Sequence, residues 1–213
     1  KILTGEYFLH PDYARSSGGI FYEKESIFFA FIEELNTINE FSKLMGRPIL
    51  FHESYRENRP REFGFLIRPT LKEFNFFVHL LDKMISENIN KDFFQHDISY
   101  TTETRRVDGK VIVQKKGTIA LLKEWLDEKV FLQDPKPAEK MIQTFLKIRR
   151  MRMKPANKVD EDKFEQEYFK KQRELMIEAY SAIRTLRLIF ANHPKTKSYK
   201  VPEWLFKGEI WTF

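Results

Sequence analysis

The chain has no cysteine among its 213 residues. This absence excludes disulfide bonds, thiolate zinc sites and cysteine nucleophiles, and it fits a reducing compartment. No apolar run approaches the roughly 18 residues that a membrane-spanning helix needs. The N-terminal residues also lack the apolar core of a signal peptide. We therefore expect a soluble, cytoplasmic protein with no membrane partner.

The sequence also lacks the short motifs that mark common enzyme classes. It has no P-loop, dinucleotide fingerprint, nucleophile elbow or zinc-ligand spacing. Histidine lies near a carboxylate at three places, which are His10 with Asp12, His52 with Glu53, and His96 with Asp97. Adjacent residues on a strand point to opposite faces, so His52 and Glu53 could not hold one ion from a regular strand. We expect no metal and no cofactor.

Phenylalanine and basic residues, in contrast, are abundant. The chain contains 21 Phe, and 42% of its residues are hydrophobic, which is enough for a substantial core. Its 37 lysines and arginines outnumber 31 acidic residues, which gives a net charge of +6 and an isoelectric point of about 9.3. This balance favours an anionic partner, and the clustering of the charge matters more than its total.

The first part of the chain shows both helical and strand patterns. Apolar residues recur at intervals of three and four between Lys24 and Met45, and Gly46 provides a stop signal. This spacing predicts a helix with one buried face. Short apolar runs at 48–53 and 63–67 predict two strands around an exposed loop.

A second helix is predicted to begin after Thr70. Thr70 and Glu73 have the spacing of a capping box, in which each side chain bonds the other residue's main-chain N–H. The apolar residues that follow form one face as far as about Ile89.

A β-hairpin is predicted next, around Asp108 and Gly109. A two-residue hairpin turn prefers this dipeptide because both residues can adopt a positive φ. Thr118 is then predicted to cap a short helix that runs to Val130.

The pattern after residues 134–137, a stiff proline-containing connector, is helical. One amphipathic helix is predicted from Ala138 up to Pro155, and a second from about Asp160 towards Asn192. The aromatic tail that follows is expected to pack back onto these helices.

These elements together predict an α+β fold that is mostly helical. We expect an N-terminal α/β domain of unknown role at residues 1–133, with short strands and a β-hairpin. We expect a C-terminal antiparallel helical bundle, with the aromatic tail, at residues 134–213.

The segment from Lys140 to Lys158 is the candidate functional region. It contains seven basic residues and no acidic one, and Pro155 breaks its helix. Helical projection places Arg152 on the buried face, so its guanidinium needs an anionic partner, a second subunit or a cleft. The turn at Pro155 can bring Asn157 back near Arg152.

This junction resembles the signature of HEPN domains, all-α bundles of toxins, phage-defence proteins and RNA-processing factors. The family motif is Arg, four to six residues, then His, often with a small residue before the His. Arg152 and Arg150 match the Arg position, and Ala156 matches the small residue. The resemblance implies a homodimer that cleaves RNA without metal, with Arg on the scissile phosphate, and a possible antitoxin or sensor partner.

Asn157 stands where the family has His. Asparagine can hydrogen-bond a ribose or a phosphate but has no proton that titrates near neutral pH, so it cannot be a general acid or base. Arg187 and His193 satisfy the same spacing and form an alternative site. On a continuous helix, however, their side chains lie on different faces.

Two readings of the basic run stay open. Arg149, Lys154, Lys158 and Lys147 could bind nucleic acid, or the run could pair with the acidic residues 160–162 as a structural element. The runner-up to an RNA-targeting HEPN-like protein is a non-catalytic module for nucleic-acid binding, protein interaction or dimerisation. An accessory domain of a larger protein is a third possibility.

Overall fold

The computed structural model describes residues 24–105, 111–153 and 163–212, and its fold is α+β and mostly helical, as predicted. In chain order, the regular elements are β1 (Glu25–Ser26), α1 (Ile27–Met45), α2 (Leu71–Asp82), β2 (Thr101–Arg105), β3 (Val111–Lys115), α3 (Thr118–Lys129), α4 (Lys136–Arg152), α5 (Gln166–Ala191), α6 (Glu203–Lys207) and β4 (Ile210–Trp211). Short 3-10 turns occupy Lys91–Phe94 and Pro194–Thr196, and a π-helical turn occupies Lys83–Glu87.

Helix α1 lies at the centre of the molecule. The Ser26 hydroxyl accepts a hydrogen bond from the Phe29 main-chain N–H at 3.2 Å and so caps the first turn. Gly46 ends the helix with a φ of 78°, a left-handed conformation that glycine adopts without strain. Because nearly every side of α1 is buried, the elements around it share one core.

Helix α2 has the predicted cap with one difference. The Thr70 hydroxyl accepts from the Glu73 N–H at 3.3 Å, but the Glu73 carboxylate accepts from the Arg68 N–H at 2.9 Å rather than from Thr70. The helix continues into the π-helical turn, which brings the side chains of Asp82 and Glu87 near the end of α4.

The two strands predicted at 48–53 and 63–67 are wrong. Phe51 forms only an isolated bridge with Ile89, and its main chain bonds the Asn39 amide instead, at 2.8 and 2.9 Å. Residues 63–67 are irregular in the same way, and the buried Gln172 side-chain amide bonds their main chain at Gly64 and Leu66. Side-chain amides on helices satisfy these backbone groups, so no neighbouring strand is needed.

The predicted hairpin is present as β2 and β3, which pair antiparallel. Its Asp108–Gly109 turn lies outside the described residues. The predicted Thr118 cap is wrong, because Gly117 occupies the cap position and the Thr118 hydroxyl donates to the Ser86 carbonyl at 2.5 Å.

Helices α4 and α5 pack as an antiparallel pair against α1 and α2. The predicted division at residue 133 falls in the connection between α3 and α4. Residues from both sides of it, such as Phe77 and Phe145, belong to the same core cluster. The aromatic tail packs back onto the core, but these contacts are with the N-terminal part of the chain and not with the C-terminal helices that were predicted: β4 pairs parallel with β1, and Trp204 stacks on Phe29 of α1 at 5.7 Å.

Among the described residues, no helix combines the length and the apolar character that crossing a membrane requires.

Candidate nucleic-acid interface

Helix α4 carries its basic residues on two different faces. Its apolar residues, which include Met141, Phe145 and Ile148, are buried against the core. Arg149 and Arg152 lie at the border of that face and reach the end of α2. The other basic residues of the helix face outward, towards α5 and solvent.

Of the three environments that the sequence allowed for Arg152, the structure shows an anionic partner in the same chain. Its Nη1 donates to Asp82 Oδ2 at 2.8 Å and also contacts Glu87 Oε1. The Asp82 side chain is completely buried, whereas that of Arg152 is 24% exposed. Arg149 Nη1 lies 3.5 Å from the same Asp82 oxygen. Two arginines of α4 therefore neutralise one buried carboxylate.

The electrostatics of this cluster follow from those contacts. The hydrogen bond from Arg152 lowers the pKa of Glu87 and outweighs the opposing effect of burial. The hydrogen bonds with Asp82 and Glu87 raise the pKa of Arg152. Because Arg152 already binds two carboxylates of its own chain, the contacts that it makes here fasten α4 to α2.

The other residues of the predicted junction lie beyond this point. Lys154, Asn157 and Lys158 are outside the described residues, as are Pro155 and the acidic residues 160–162. Helix α4 ends at Arg152, and Met153 is its C-cap.

An exposed polar stripe runs along the outer face of α4. It consists of Lys136, Lys140, Gln143, Lys147 and Arg150. Their spacing of four, three, four and three residues places all five on one face over about 21 Å of helix. The same five residues line a groove of about 780 Å³ between α4 and α5.

The opposite wall of the groove comes from α5 and is mostly small or neutral. It consists of Ile177, Glu178, Ser181, Ala182 and Thr185. The lining therefore contains four cationic side chains and two acidic ones, Asp134 and Glu178. The groove has a net positive charge.

The cations of the groove differ in what they bind. Lys147 Nζ lies 2.6 Å from Glu178 Oε2, and the two side chains are 48% and 40% exposed. A pair this exposed contributes at most about 1 kcal/mol. Arg150 Nε donates to the Leu146 carbonyl at 3.2 Å. Within the part of the chain that the structure describes, Lys136 and Lys140 have no ion-pair partner.

The alternative pair, Arg187 and His193, engages different parts of the molecule. Arg187 is buried and donates to both carboxylate oxygens of Glu34, from Nε at 2.6 Å and from Nη2 at 3.3 Å. His193 Nδ1 accepts from the Lys195 N–H at 3.3 Å and caps a 3-10 turn.

The Glu34 pair is a buried electrostatic unit. Burial raises the pKa of Glu34, and its hydrogen bond with Arg187 opposes that shift. Burial and the nearby Glu34 charge raise the pKa of Tyr180 to about 12. These contacts hold α1 against α5 in the core.

Sequence reasoning named Lys147 and Arg150 of this stripe, included Lys140 and Gln143 in the candidate segment without giving them a role, and overlooked Lys136. The signal that could have identified them is the polar stripe itself, since its residues recur at intervals of three and four and lie on the face opposite the apolar one. A search for basic residues near the buried face selected Arg149 and Arg152 instead, and these pair with Asp82.

The described residues contain no group of three or more His, Asp or Glu side chains that could hold a metal ion. No family model, curated protein or solved structure matches this chain.

Proposed function

We propose that this protein binds RNA through the groove between α4 and α5. The observation that carries the proposal is the row of four cationic side chains along one wall, two of which, Lys136 and Lys140, have no ion-pair partner among the described residues. Unpaired ammonium groups held on one helix face are available to phosphates without breaking an existing bond.

The energetic basis of such binding is electrostatic. Each phosphate that a lysine or arginine neutralises releases condensed counterions, so affinity falls as salt rises. The ion pair between Lys147 and Glu178 is exposed and weak, so a phosphate can replace Glu178 at low cost.

The test is fluorescence anisotropy with labelled RNA and a Lys136→Ala/Lys140→Ala double variant. We expect the variant to bind more weakly and the slope of log K against log salt to fall by about 0.7 to 0.9 per lysine removed. A matched control is Lys197→Ala/Lys200→Ala, which removes two exposed lysines outside the groove lining. Equal affinity and equal salt slope for both double variants would refute the proposal.

A second proposal is a metal-independent endoribonuclease of the HEPN-like toxin or phage-defence type. It would act as a homodimer, under the control of an antitoxin or sensor partner. It draws support from Arg152, which lies in the last turn of α4, immediately before the connection to the antiparallel helix α5. In this proposal Arg152 and Arg150 contact phosphate and Asn157 holds the position of the acid/base residue.

The ribonuclease proposal has its own experiment. Labelled tRNA and single-stranded RNA are incubated with this chain and with an Asn157→His variant, and light scattering reports the oligomeric state. RNA cleavage by the Asn157→His variant alone, together with a dimeric state, would support the ribonuclease proposal. Intact RNA in both reactions leaves RNA binding as the activity.

A further inference from the structure

We infer that the polar stripe on the outer face of α4, which forms one edge of this groove, binds double-stranded RNA across the RNA minor groove, in preference to single-stranded RNA. This inference rests on the proposed RNA binding and goes on to name the substrate class. Three features of the α4 surface support it.

The first feature is the chemistry of the lining. None of the described residues that line the groove is aromatic. Proteins that bind single strands stack the bases on aromatic rings, and each stacked base contributes strongly to affinity. The lining combines four cations with small polar and aliphatic side chains and offers no ring on which a base could stack, so the charged side chains favour contacts with the nucleic-acid backbone.

The second feature is the order of side chains along α4. Lys136 and Lys140 form one cationic pair, Lys147 and Arg150 form another, and Gln143 lies between them. The centres of the two pairs are separated by about ten residues, or roughly 16 Å of helix. The two cationic pairs can therefore contact the two phosphate strands that border the RNA minor groove. The Gln143 amide between them then lies above the RNA minor groove.

The third feature is the shape of this part of α4. A second groove of about 460 Å³ lies on its other side, against α3. Lys136, Lys140 and Gln143 line both grooves, so this half of the helix projects as a ridge between two depressions. The minor groove of A-form RNA is wide and shallow, and a projecting helix can enter it.

Gln143 is the group that would distinguish RNA from DNA. The minor groove of an RNA duplex displays 2′-hydroxyls, which both donate and accept hydrogen bonds. A glutamine amide also does both. The ribose hydroxyl therefore provides a partner for Gln143 that deoxyribose lacks.

The experiment measures anisotropy with four fluorescent probes. They are an RNA duplex of about 20 base pairs, longer than the roughly 16 that a double-stranded-RNA-binding domain spans, the DNA duplex of the same sequence, and each RNA strand alone. We expect the RNA duplex to bind at least about ten-fold more tightly than the other probes. Gln143→Ala should weaken RNA-duplex binding about three- to ten-fold and leave DNA-duplex binding unchanged.

The outcomes separate the inference from the function on which it rests. If no RNA binds, the proposed function itself fails. If single strands bind as tightly as the duplex, or if the DNA duplex equals the RNA duplex, RNA binding stands and the inference is overturned. Gln95→Ala, an exposed change of the same type outside both grooves, is the control for Gln143→Ala.

Discussion

Arg152 Nη1 lies 2.8 Å from Asp82 Oδ2, and this contact joins the last turn of α4 to the end of α2 across 70 residues of sequence. Removing the positive charge beside a buried ionised carboxylate is costly, so Arg152 has a structural role whatever else it does.

The first prediction concerns this ion pair. Arg152→Ala leaves Asp82 buried with only the longer contact from Arg149, so we expect a loss of about 3 kcal/mol in the free energy of unfolding. Urea denaturation followed by circular dichroism measures it. Arg150→Ala, an exposed change on the same turn, should stay within about 0.5 kcal/mol. A variant at Arg152 as stable as the one at Arg150 would contradict the structural role.

The second prediction concerns the buried pair of Glu34 and Arg187. Glu34→Ala leaves a guanidinium in the core without its carboxylate, which should cost about 3 to 5 kcal/mol. The double variant Glu34→Leu/Arg187→Met removes both charges and should recover most of the loss. Thermal denaturation of the three proteins provides the comparison. If the double variant were no more stable than Glu34→Ala, the unpaired charge of Arg187 would not be the cause of the stability loss.

The third prediction concerns acid stability. Glu87 has a folded-state pKa below its ordinary value of 4.5 because Arg152 donates to it. A lowered carboxyl pKa stabilises the fold above the unfolded value, and that contribution is lost as pH falls through the folded value. Between pH 7 and pH 3, the Tm of the wild type should therefore fall more steeply than that of Glu87→Gln. Parallel Tm profiles would argue against the contact with Arg152.

The fourth prediction concerns the acid in the groove. Glu178→Gln removes a charge that repels phosphate and occupies Lys147, so RNA should bind about three-fold more tightly, with the larger effect at low salt. Anisotropy at two salt concentrations measures this effect. Glu203→Gln breaks a comparable exposed pair with Lys207 outside the groove and should change nothing. An equal response of both variants would place RNA elsewhere on the protein.

Sequence patterns located the helices well because helix formation depends on neighbours in the chain. The three- and four-residue spacing and the Gly46 stop are visible in the sequence, and α1 ends where they indicate. Short apolar runs are less specific. The run around Phe51 has the composition of a strand, yet the Asn39 amide satisfies its main chain.

The candidate site was predictable only in part. The predicted buried position of Arg152 implied an anionic partner, a second subunit or a cleft, and several acidic residues could have been that partner. The groove was not predictable, since it requires α5 to lie beside the outer face of α4 at the distance that leaves Lys136 and Lys140 exposed.

The sequence by itself determined the helical content, the end of α1, the start of α2, the hairpin strands and the need to stabilise the charge of Arg152, because these depend on periodicity, capping and the cost of a buried charge. It placed the start of the last long helix near Asp160, whereas Phe164 forms a bridge with Thr70 and α5 begins at Gln166. Only the tertiary structure decided that Asp82 is the partner of Arg152 and that Glu34 is the partner of Arg187. It also decided which lysines stay unpaired beside a groove. Contacts between residues far apart in the chain depend on how all the helices pack together, and no local pattern records that arrangement.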